Sequence, residues 1–355
     1  MNARTALTRP PKNLLAALLL VLCILVSFAG CISDRVHADQ TPSRGITITQ
    51  SDGTPVNLPG PANRIVVANG NAAELLVAIG AGDRIVGVTD SVKGYPVLKD
   101  RFGSLPSIGS WQAPDVETIL SLSPDVIITY GTTKPKNADK ITAANITLVY
   151  LDCYRINTLA NDARQLGILT GDPSGAERYA GFLEPLITMV SDRTANLTEE
   201  EKPKVYFESY SDWTAQAAGS GGDLLVQVTG GRNIAGMLNA SAPKVSAEWV
   251  LQENPSLIFK VVSQSRQEED YAVLQEEIAG RPGLSSLPAA KEGRIYLFSN
   301  EMVYGPRAFT GMLAMAKLEH PGLFADVSPQ AYLDTYAARF LPGSNTTRWV
   351  YPAIL

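Results

Sequence analysis

The sequence predicts an α/β fold of two similar lobes, each with a mostly parallel sheet, joined by one long helix. The first observation is a stretch that occurs twice, at residues 117–128 and 248–259, with the same Glu, Leu and Pro positions and an offset of 131 residues. The second is the alternation of apolar strand patterns with short helical ones, which is typical of parallel sheets covered on both faces. The third is a long helical pattern between the two halves.

Each copy of the repeat has a simple local structure. A helical turn or two begins near the Glu, the Pro stops it, and a buried strand follows. A carboxylate at a helix start is stabilised by the exposed amide groups and the helix dipole. Glu117 and Glu248 are therefore each explained locally as helix-start residues.

The first half begins with a hairpin and continues with strands that alternate with helices. The hairpin pairs residues 46–50 with 56–58 around Ser51-Asp52-Gly53. Further strands are expected at 64–68, 85–89 and 147–151, and helices at 72–79 and 138–144.

A long helix is expected between the halves. A shorter helical segment, 158–169, stops near Gly171, and Ser174 is placed to cap a helix that continues to about Leu197. Pro185 lies inside this helix and can kink it. The charged residues 198–204 mark a boundary.

The second half follows the same plan. Strands are expected at 205–210 and 294–299, a glycine-rich loop at 219–222, helices at 223–229 and 271–279, and closing helices at 308–318 and 329–340 before a polar tail. The expected divisions are a signal peptide at 1–30, a tether at 31–44, a first lobe at 45–157, a helical segment at 158–202 and a second lobe at 203–355.

The N-terminus has the pattern of an export signal. Three basic residues precede the apolar run 14–28, which is short for a membrane span of ~20 residues, although a retained anchor stays open. Residues 27–31, Ser-Phe-Ala-Gly-Cys, resemble a lipobox. Cys31 is therefore expected to be the lipidated first residue of the mature protein.

The charge balance limits the partners. Beyond residue 30 the chain has 27 Lys and Arg against 35 Asp and Glu, because three of its 30 basic residues precede that point. Such an acidic chain has no basic excess for nucleic acid or for an anionic membrane surface.

Catalytic machinery has little support in the sequence. His37 and His320 are the two histidines, and Cys153 is the single cysteine beyond Cys31, so neither a zinc site of the His/Cys type nor an internal disulfide can be assembled. P-loop, dinucleotide and nucleophile-elbow patterns are absent. We expect neither an enzyme nor an intrinsic cofactor.

The order of several motifs resembles one family. The lipobox and the long helix are accompanied by residues 115–120, 123–128, 230–234, 281–284 and 305–307. Together they resemble the helical-backbone substrate-binding proteins of ABC importers, the branch that captures ferric siderophores, haem and cobalamin. The resemblance covers roughly residues 45–342, and it implies that the interlobe helix is rigid and that the ligand lies between the lobes.

The resemblance also implies a partner. In that family one exposed glutamate on each lobe meets an arginine on each of the two permease subunits, which work with ATPase subunits. The matching positions are Glu117 and Glu248. Carboxylate and guanidinium form bidentate, charge-assisted contacts, which makes this role physically reasonable.

Ligand contacts are expected from loops at the strand ends, where α/β sites lie. Planar aromatic faces suit a flat or amphipathic macrocycle, and Arg307 could meet a carboxylate or phosphate. The candidates are Tyr95, Trp111 and Tyr130 in the first lobe and Tyr210, Trp213, Tyr304 and Arg307 in the second.

The ligand class is narrowed by the shortage of histidine. Relatives that bind bare zinc or manganese use several histidines, so a chelated metal is expected here. We favour a ferric siderophore because such iron chelates are the commoner ligands, with a corrinoid close behind and haem as a further alternative. An exported enzyme, or a sensory or adhesion lipoprotein on the same scaffold, is the alternative from another class.

Overall fold

The computed structural model describes residues 45–263, 268–343 and 350–353. The expected signal peptide, the tether and Cys31 lie outside the described residues. Within the described part, none of the helices is both long enough and apolar enough to span a membrane.

The first lobe is built on a four-stranded parallel sheet with the order β4-β3-β7-β8. A hairpin of β1 with β2 and a second of β5 with β6 complete its strands. In chain order these are β1 (Ile46–Thr49), β2 (Pro55–Leu58), β3 (Ile65–Val67), β4 (Ile85–Val88), β5 (Gly109–Ser110), β6 (Ala113–Pro114), β7 (Val126–Thr129) and β8 (Thr147–Tyr150).

Five helices belong to this lobe: α1 (Gly70–Ala78), α2 (Asp90–Lys93), α3 (Lys99–Phe102), α4 (Val116–Leu122) and α5 (Ala138–Ala143). Helix α1 begins after Asn69, whose side-chain oxygen accepts from the amides of Asn71 and Ala72. The helix begins two residues earlier than predicted.

The long helix between the halves is α7 (Pro173–Thr194), preceded by α6 (Leu159–Thr170). Its cap is Asp172 rather than the expected Ser174, because the Asp172 carboxylate accepts from the Ser174 amide and Pro173 occupies the first turn. Gly175 lies against the end of α1. A Cβ there would be 1.8 Å from the Ile79 carbonyl oxygen, so only glycine allows this close packing.

The second lobe has a five-stranded sheet with the order β10-β9-β11-β12-β13. Its strands are β9 (Lys204–Glu208), β10 (Arg232–Asn233), β11 (Leu257–Val262), β12 (Ile295–Ser299) and β13 (Val350–Tyr351). Its helices are α8 (Gly221–Val228), α9 (Ala247–Glu253), α10 (Glu268–Ala279), α11 (Pro288–Lys291), α12 (Asn300–Val303), α13 (Ala308–Glu319) and α14 (Pro329–Phe340).

The sheets confirm the predicted α/β class with mostly parallel strands. One exception is β13, which pairs antiparallel with β12 and belongs to what the sequence predicted as a polar tail. Two residues form this strand, which is too short for a recognisable alternating pattern.

The repeated stretch forms the same unit in both lobes. Helices α4 and α9 are seven residues long, and each ends at a left-handed residue, Ser123 or Asn254, directly before a proline. Strands β7 and β11 follow at the same offset of 131 residues. Because a residue before proline is disfavoured in the right-handed helical conformation, the proline fixes where each helix ends.

Side chains of the central strands alternate between two apolar layers. Ile65, Val126 and Phe259 belong to one buried cluster that also contains Leu183 of α7 and therefore runs through both lobes. The opposite sheet faces form separate clusters under α4 and α9. The junction of the lobes is thus continuous hydrophobic core.

Candidate ligand-binding cleft

A cleft of about 540 Å³ lies between the two lobes. Its lining comes from segments that follow β3, β4, β7 and β8 in the first lobe and β9, β10 and β12 in the second. Ligands of parallel α/β sheets bind at these carboxyl ends of strands. The volume lies within the ~300–1,000 Å³ usual for small-molecule sites.

Tyrosines provide the aromatic surface of the cleft. The rings of Tyr154 and Tyr304, one from each lobe, meet edge to face with centroids 5.9 Å apart. Gln216 Nε2 donates to the Tyr304 hydroxyl at 2.6 Å. Gly221 lies beside the Tyr304 ring, where a Cβ would approach within 2.5 Å. The lining tyrosines are Tyr95, Tyr130, Tyr154, Tyr210 and Tyr304.

Burial favours the protonated form of four of these hydroxyls. Loss of hydration raises the pKa of Tyr130 to about 12 and raises the pKa values of Tyr95, Tyr210 and Tyr304 above the ordinary tyrosine value. At neutral pH the cleft therefore presents neutral phenol groups that can both donate and accept hydrogen bonds.

Four of the seven residues expected to contact ligand line the cleft, namely Tyr95, Tyr130, Tyr210 and Tyr304. Trp111 is not among the lining residues and packs against one of them, Tyr130. Its side chain meets Tyr130 edge to face, with centroids 5.2 Å apart.

Arg307 does not line the cleft, which corrects the sequence-based expectation. Its guanidinium is 2% exposed and forms a two-pronged ion pair with Glu74 of α1, with Nε and Nη2 2.9 and 3.0 Å from the carboxylate oxygens. Tyr336 also donates to Glu74, and Arg307 donates to the Tyr95 hydroxyl at 3.2 Å. The charge of Arg307 is therefore matched within the protein, at a contact between the two lobes.

Trp213 also lies away from the lining. Its amide donates to Glu208 Oε2 at 2.8 Å, and its ring lies under the Arg281 guanidinium at 5.1 Å. Glu208 in turn pairs with Lys260 and Arg281 in the interior of the second lobe. Trp213 thus belongs to a buried polar cluster behind the loop that carries Tyr210.

Tyr154 and Arg155 are the aromatic and the charged lining residues that were missed in the sequence. They follow β8 within five residues, so the strand-end rule that selected the other candidates applies to them as well. The Arg155 guanidinium lies over the Tyr154 ring at 5.2 Å. Among the described residues, no group of three or more His, Cys, Asp or Glu side chains is arranged to hold a metal ion.

Comparison with known families accounts for this architecture. The model of the family described as "Periplasmic binding protein" matches residues 65–301, which include most of both sheets and nearly the whole cleft lining. The chain belongs to the periplasmic binding protein family. Membership implies an exported protein.

Two curated relatives of this periplasmic binding protein are named for one vitamin. The cobalamin-binding protein of Halobacterium salinarum is 25% identical over 235 residues, which are 65% of this chain and 63% of the relative. The vitamin B12-binding protein of Yersinia pestis is 29% identical over 210 residues, which are 58% of this chain and 71% of the relative. The chain thus spans less than two thirds of the Halobacterium protein.

Solved structures support the fold of this periplasmic binding protein. Molybdate-bound MolA of Haemophilus influenzae has a TM-score of 0.72 at 20% identity, covering 84% of this chain and 99% of that one. The TroA-like protein FepB of Veillonella parvula has a TM-score of 0.72 at 22% identity, covering 86% and 99%. A haem-binding protein of Pseudomonas aeruginosa has a TM-score of 0.61 at 23% identity, covering 74% and 94%.

The two repeat glutamates of this periplasmic binding protein lie on its surface. Glu117 and Glu248 are exposed in the first turns of α4 and α9. Its own backbone amide and the Ser246 hydroxyl lower the pKa of Glu248, so its carboxylate is charged at neutral pH. The named relatives are binding proteins, which supports the expectation of binding rather than catalysis.

Proposed function

We propose that this protein is the substrate-binding component of an ABC importer and carries a metal chelate in the interlobe cleft. The observation that carries the proposal is the cleft itself, with five tyrosines from both lobes around about 540 Å³. Such a surface suits a large, flat ligand with apolar faces and polar edges. The ligand would then pass to a permease dimer driven by ATPase subunits.

A corrinoid is the cargo we now place first. The sequence alone favoured a ferric siderophore, and the two relatives named for cobalamin move the corrinoid ahead of it. A ferric siderophore and haem remain the other members of the panel to be tested.

Calorimetric titration of the full-length chain in detergent tests the cargo. Cyanocobalamin, a ferric siderophore and haemin are each added to separate samples. We expect one of them to bind with a Kd of about 1 μM or tighter, which corresponds to about −8 kcal/mol. The other two should give no binding heat. Absence of heat with all three, at concentrations well above micromolar, contradicts the chelate assignment.

Tryptophan fluorescence locates the binding. Trp111 packs on the lining residue Tyr130, whereas Trp249 lies on α9, outside the lining. Trp111→Phe should therefore remove most of the ligand-induced change in emission, and the matched variant Trp249→Phe should keep it. The reverse pattern would place the ligand outside the cleft.

We propose further that Glu117 and Glu248 contact the permease. Their support is geometric: each is exposed, each opens a seven-residue helix, and the two helices follow the same register in matched lobes. Two equivalent carboxylates suit a transporter with two equivalent subunits. Exposed ion pairs of this kind guide orientation and association rate more than affinity.

Charge reversal tests this docking role. Glu117→Arg together with Glu248→Arg should reduce transport in cells to near background while the calorimetric Kd for cargo stays unchanged. Glu277→Arg, the same charge change on the exposed face of α10, serves as the matched control and should transport normally. Loss of cargo binding in the double variant would assign the two residues to the cleft or the fold instead.

Lipidation of Cys31 remains part of the proposal, on the support of the lipobox-like stretch 27–31. Cys31→Ser should abolish incorporation of radiolabelled fatty acid and release the protein from the membrane fraction. A Cys31→Ser protein that stays membrane-bound would instead indicate a retained N-terminal segment.

A further inference from the structure

Arg155 is the single charged side chain among the described residues that line the cleft. The other lining residues are tyrosines, small hydroxyl or amide residues, glycines and one alanine. None of the described lining residues carries a carboxylate that could neutralise this cation. The proposed binding site is electropositive in a chain whose overall charge is negative.

The Arg155 guanidinium has no hydrogen-bond acceptor within the described part of the chain. Its Nε is buried without a hydrogen-bond partner. The guanidinium makes a cation–π contact with the face of the Tyr154 ring. A guanidinium offers five N–H donors in a planar fork that fits a carboxylate or a phosphate. Stacking on Tyr154 restricts the fork while leaving its donors uncommitted.

Two other arginines with little exposure are paired with carboxylates. Arg307 is paired with Glu74, and Arg281 with Glu208 and Asp212. Burial raises the pKa of Asp162 to about 6, and the positive charge of Arg155 opposes this shift. The Asp162 carboxylate accepts a hydrogen bond from the Thr158 hydroxyl at 3.0 Å. That carboxyl group makes no ion pair with Arg155.

Two helices add to the positive potential at the same place. The first residues of α1, Gly70 and Asn71, and those of α8, Gly221 and its cap Ser220, line the cleft. Helix N-termini carry partial positive charge and favour anions. Both lobes therefore present positive groups toward the cleft.

We infer that Arg155 binds an anionic group of the cargo, either a phosphate or a carboxylate. This inference rests on the proposed function and narrows it to ligands with such a group. In a corrinoid the group would be the phosphodiester of the nucleotide loop, and in haem it would be a propionate carboxylate.

Paired ligands separate the anion from the rest of the cargo. Cobalamin is compared with cobinamide, which keeps the corrin ring and lacks the nucleotide phosphodiester, and haemin with its dimethyl ester. The full-length proteins are the parent, Arg155→Met, Arg155→Lys and Arg178→Met. Arg178 is exposed on α7 outside the cleft lining and supplies the matched control.

Arg155→Met should weaken binding of the anion-bearing member of the cargo's pair by roughly 10- to 100-fold. Binding of the anion-free member should not change, Arg155→Lys should retain part of the affinity, and Arg178→Met should resemble the parent. Added salt should weaken the anion-bearing ligand more than its partner. Equal loss for both members of a pair, or no loss for either, would overturn the inference.

A second measurement tests anion binding by Arg155 without any of these ligands. If the parent protein binds none of them, the proposed function fails while this test still applies. The Nε–H signal of Arg155 in nitrogen-edited NMR spectra is assigned by its absence from Arg155→Lys. Inorganic pyrophosphate at millimolar concentration should shift that signal. An unmoved signal would show that Arg155 does not bind anions.

Discussion

Arg307 and Arg155 lie close to the same cleft and use their charge in opposite ways. Arg307 is buried between the lobes, where Glu74 holds it with two short contacts and Tyr336 adds a third group. Arg155 faces the cleft without a carboxylate partner among the described residues. The comparison shows that the counterion, more than nearness to the cleft, decides whether a cation stabilises the fold or is available to a ligand.

Removal of the Glu74 charge should have the largest effect on stability. Glu74→Gln removes the carboxylate that holds the buried Arg307 guanidinium, and breaking a buried pair from one side costs about 3–5 kcal/mol. Urea denaturation followed by circular dichroism measures the free energy of unfolding.

Two further variants test whether the lost counterion is the cause. Glu74→Leu combined with Arg307→Met removes both charges and should recover most of the stability. Arg155→Met should change the free energy of unfolding by less than about 0.5 kcal/mol. If Arg155→Met were as destabilising as Glu74→Gln, the distinction between the two arginines would be wrong.

Glu319 represents a third arrangement, a buried acid without a counterion. It is 5% exposed, and neither carboxylate oxygen has a hydrogen-bond partner in the described structure. The nearby Thr229 hydroxyl is committed to the carbonyl oxygens of Leu225 and Val226, at 2.9 and 3.1 Å. Burial raises the pKa of Glu319 well above its ordinary value, so the folded protein favours the neutral acid.

The sign of the resulting pH dependence follows from the raised pKa. The contribution of protonated Glu319 to the free energy of unfolding is complete below the pKa of glutamate in the unfolded chain, near 4.3. It is lost as pH rises through the pKa of Glu319 in the folded protein, at up to about 1.4 kcal/mol per pH unit. Glu319→Gln cannot ionise, so it should be more stable than the parent at pH 8 and equal to it at pH 4. Thermal midpoints from pH 4 to 9 measure this. A constant difference across that range would mean that Glu319 does not titrate.

The sequence predicted the parts of the fold that have local signals. Each proline of the repeat ends a helix and precedes an apolar strand, so α4, β7, α9 and β11 were predictable within a few residues. Strand ends likewise identified Tyr95, Tyr130, Tyr210 and Tyr304 as cleft residues. The two-residue strand β13 was not predictable, because its pairing with β12 depends on a distant segment.

Partners far apart in sequence explain the remaining errors at the site. Glu74 lies 233 positions before Arg307, and no local pattern joins them. Trp213 follows a strand and looks like a cleft residue, yet Arg281 and Glu208 draw it into the second lobe. A charged or aromatic residue at a strand end is thus a candidate whose availability only the folded structure decides.

Removal of the Lys260 charge should affect stability less than removal of the Glu74 charge, and it should have a measurable effect on binding. Its ammonium contacts Glu208 at 2.7 Å and donates to the carbonyl oxygens of Ser209 and Tyr210, which line the cleft, at 3.0 and 3.3 Å. Lys260→Met leaves Glu208 paired with Arg281, so the loss should be about 1–2 kcal/mol, below that of Glu74→Gln.

Lys260 orients the Tyr210 loop without lining the cleft. Lys260→Met should therefore also weaken cargo binding by about threefold to tenfold. The loss should be the same for anion-free and anion-bearing ligands. Arg155→Met should discriminate between those ligands, whereas Lys260→Met should not. Calorimetric titration of both variants with both members of a ligand pair measures the contrast. If Lys260→Met acted on the anion-bearing ligand alone, Lys260 would contribute charge to the cleft instead of positioning its loop.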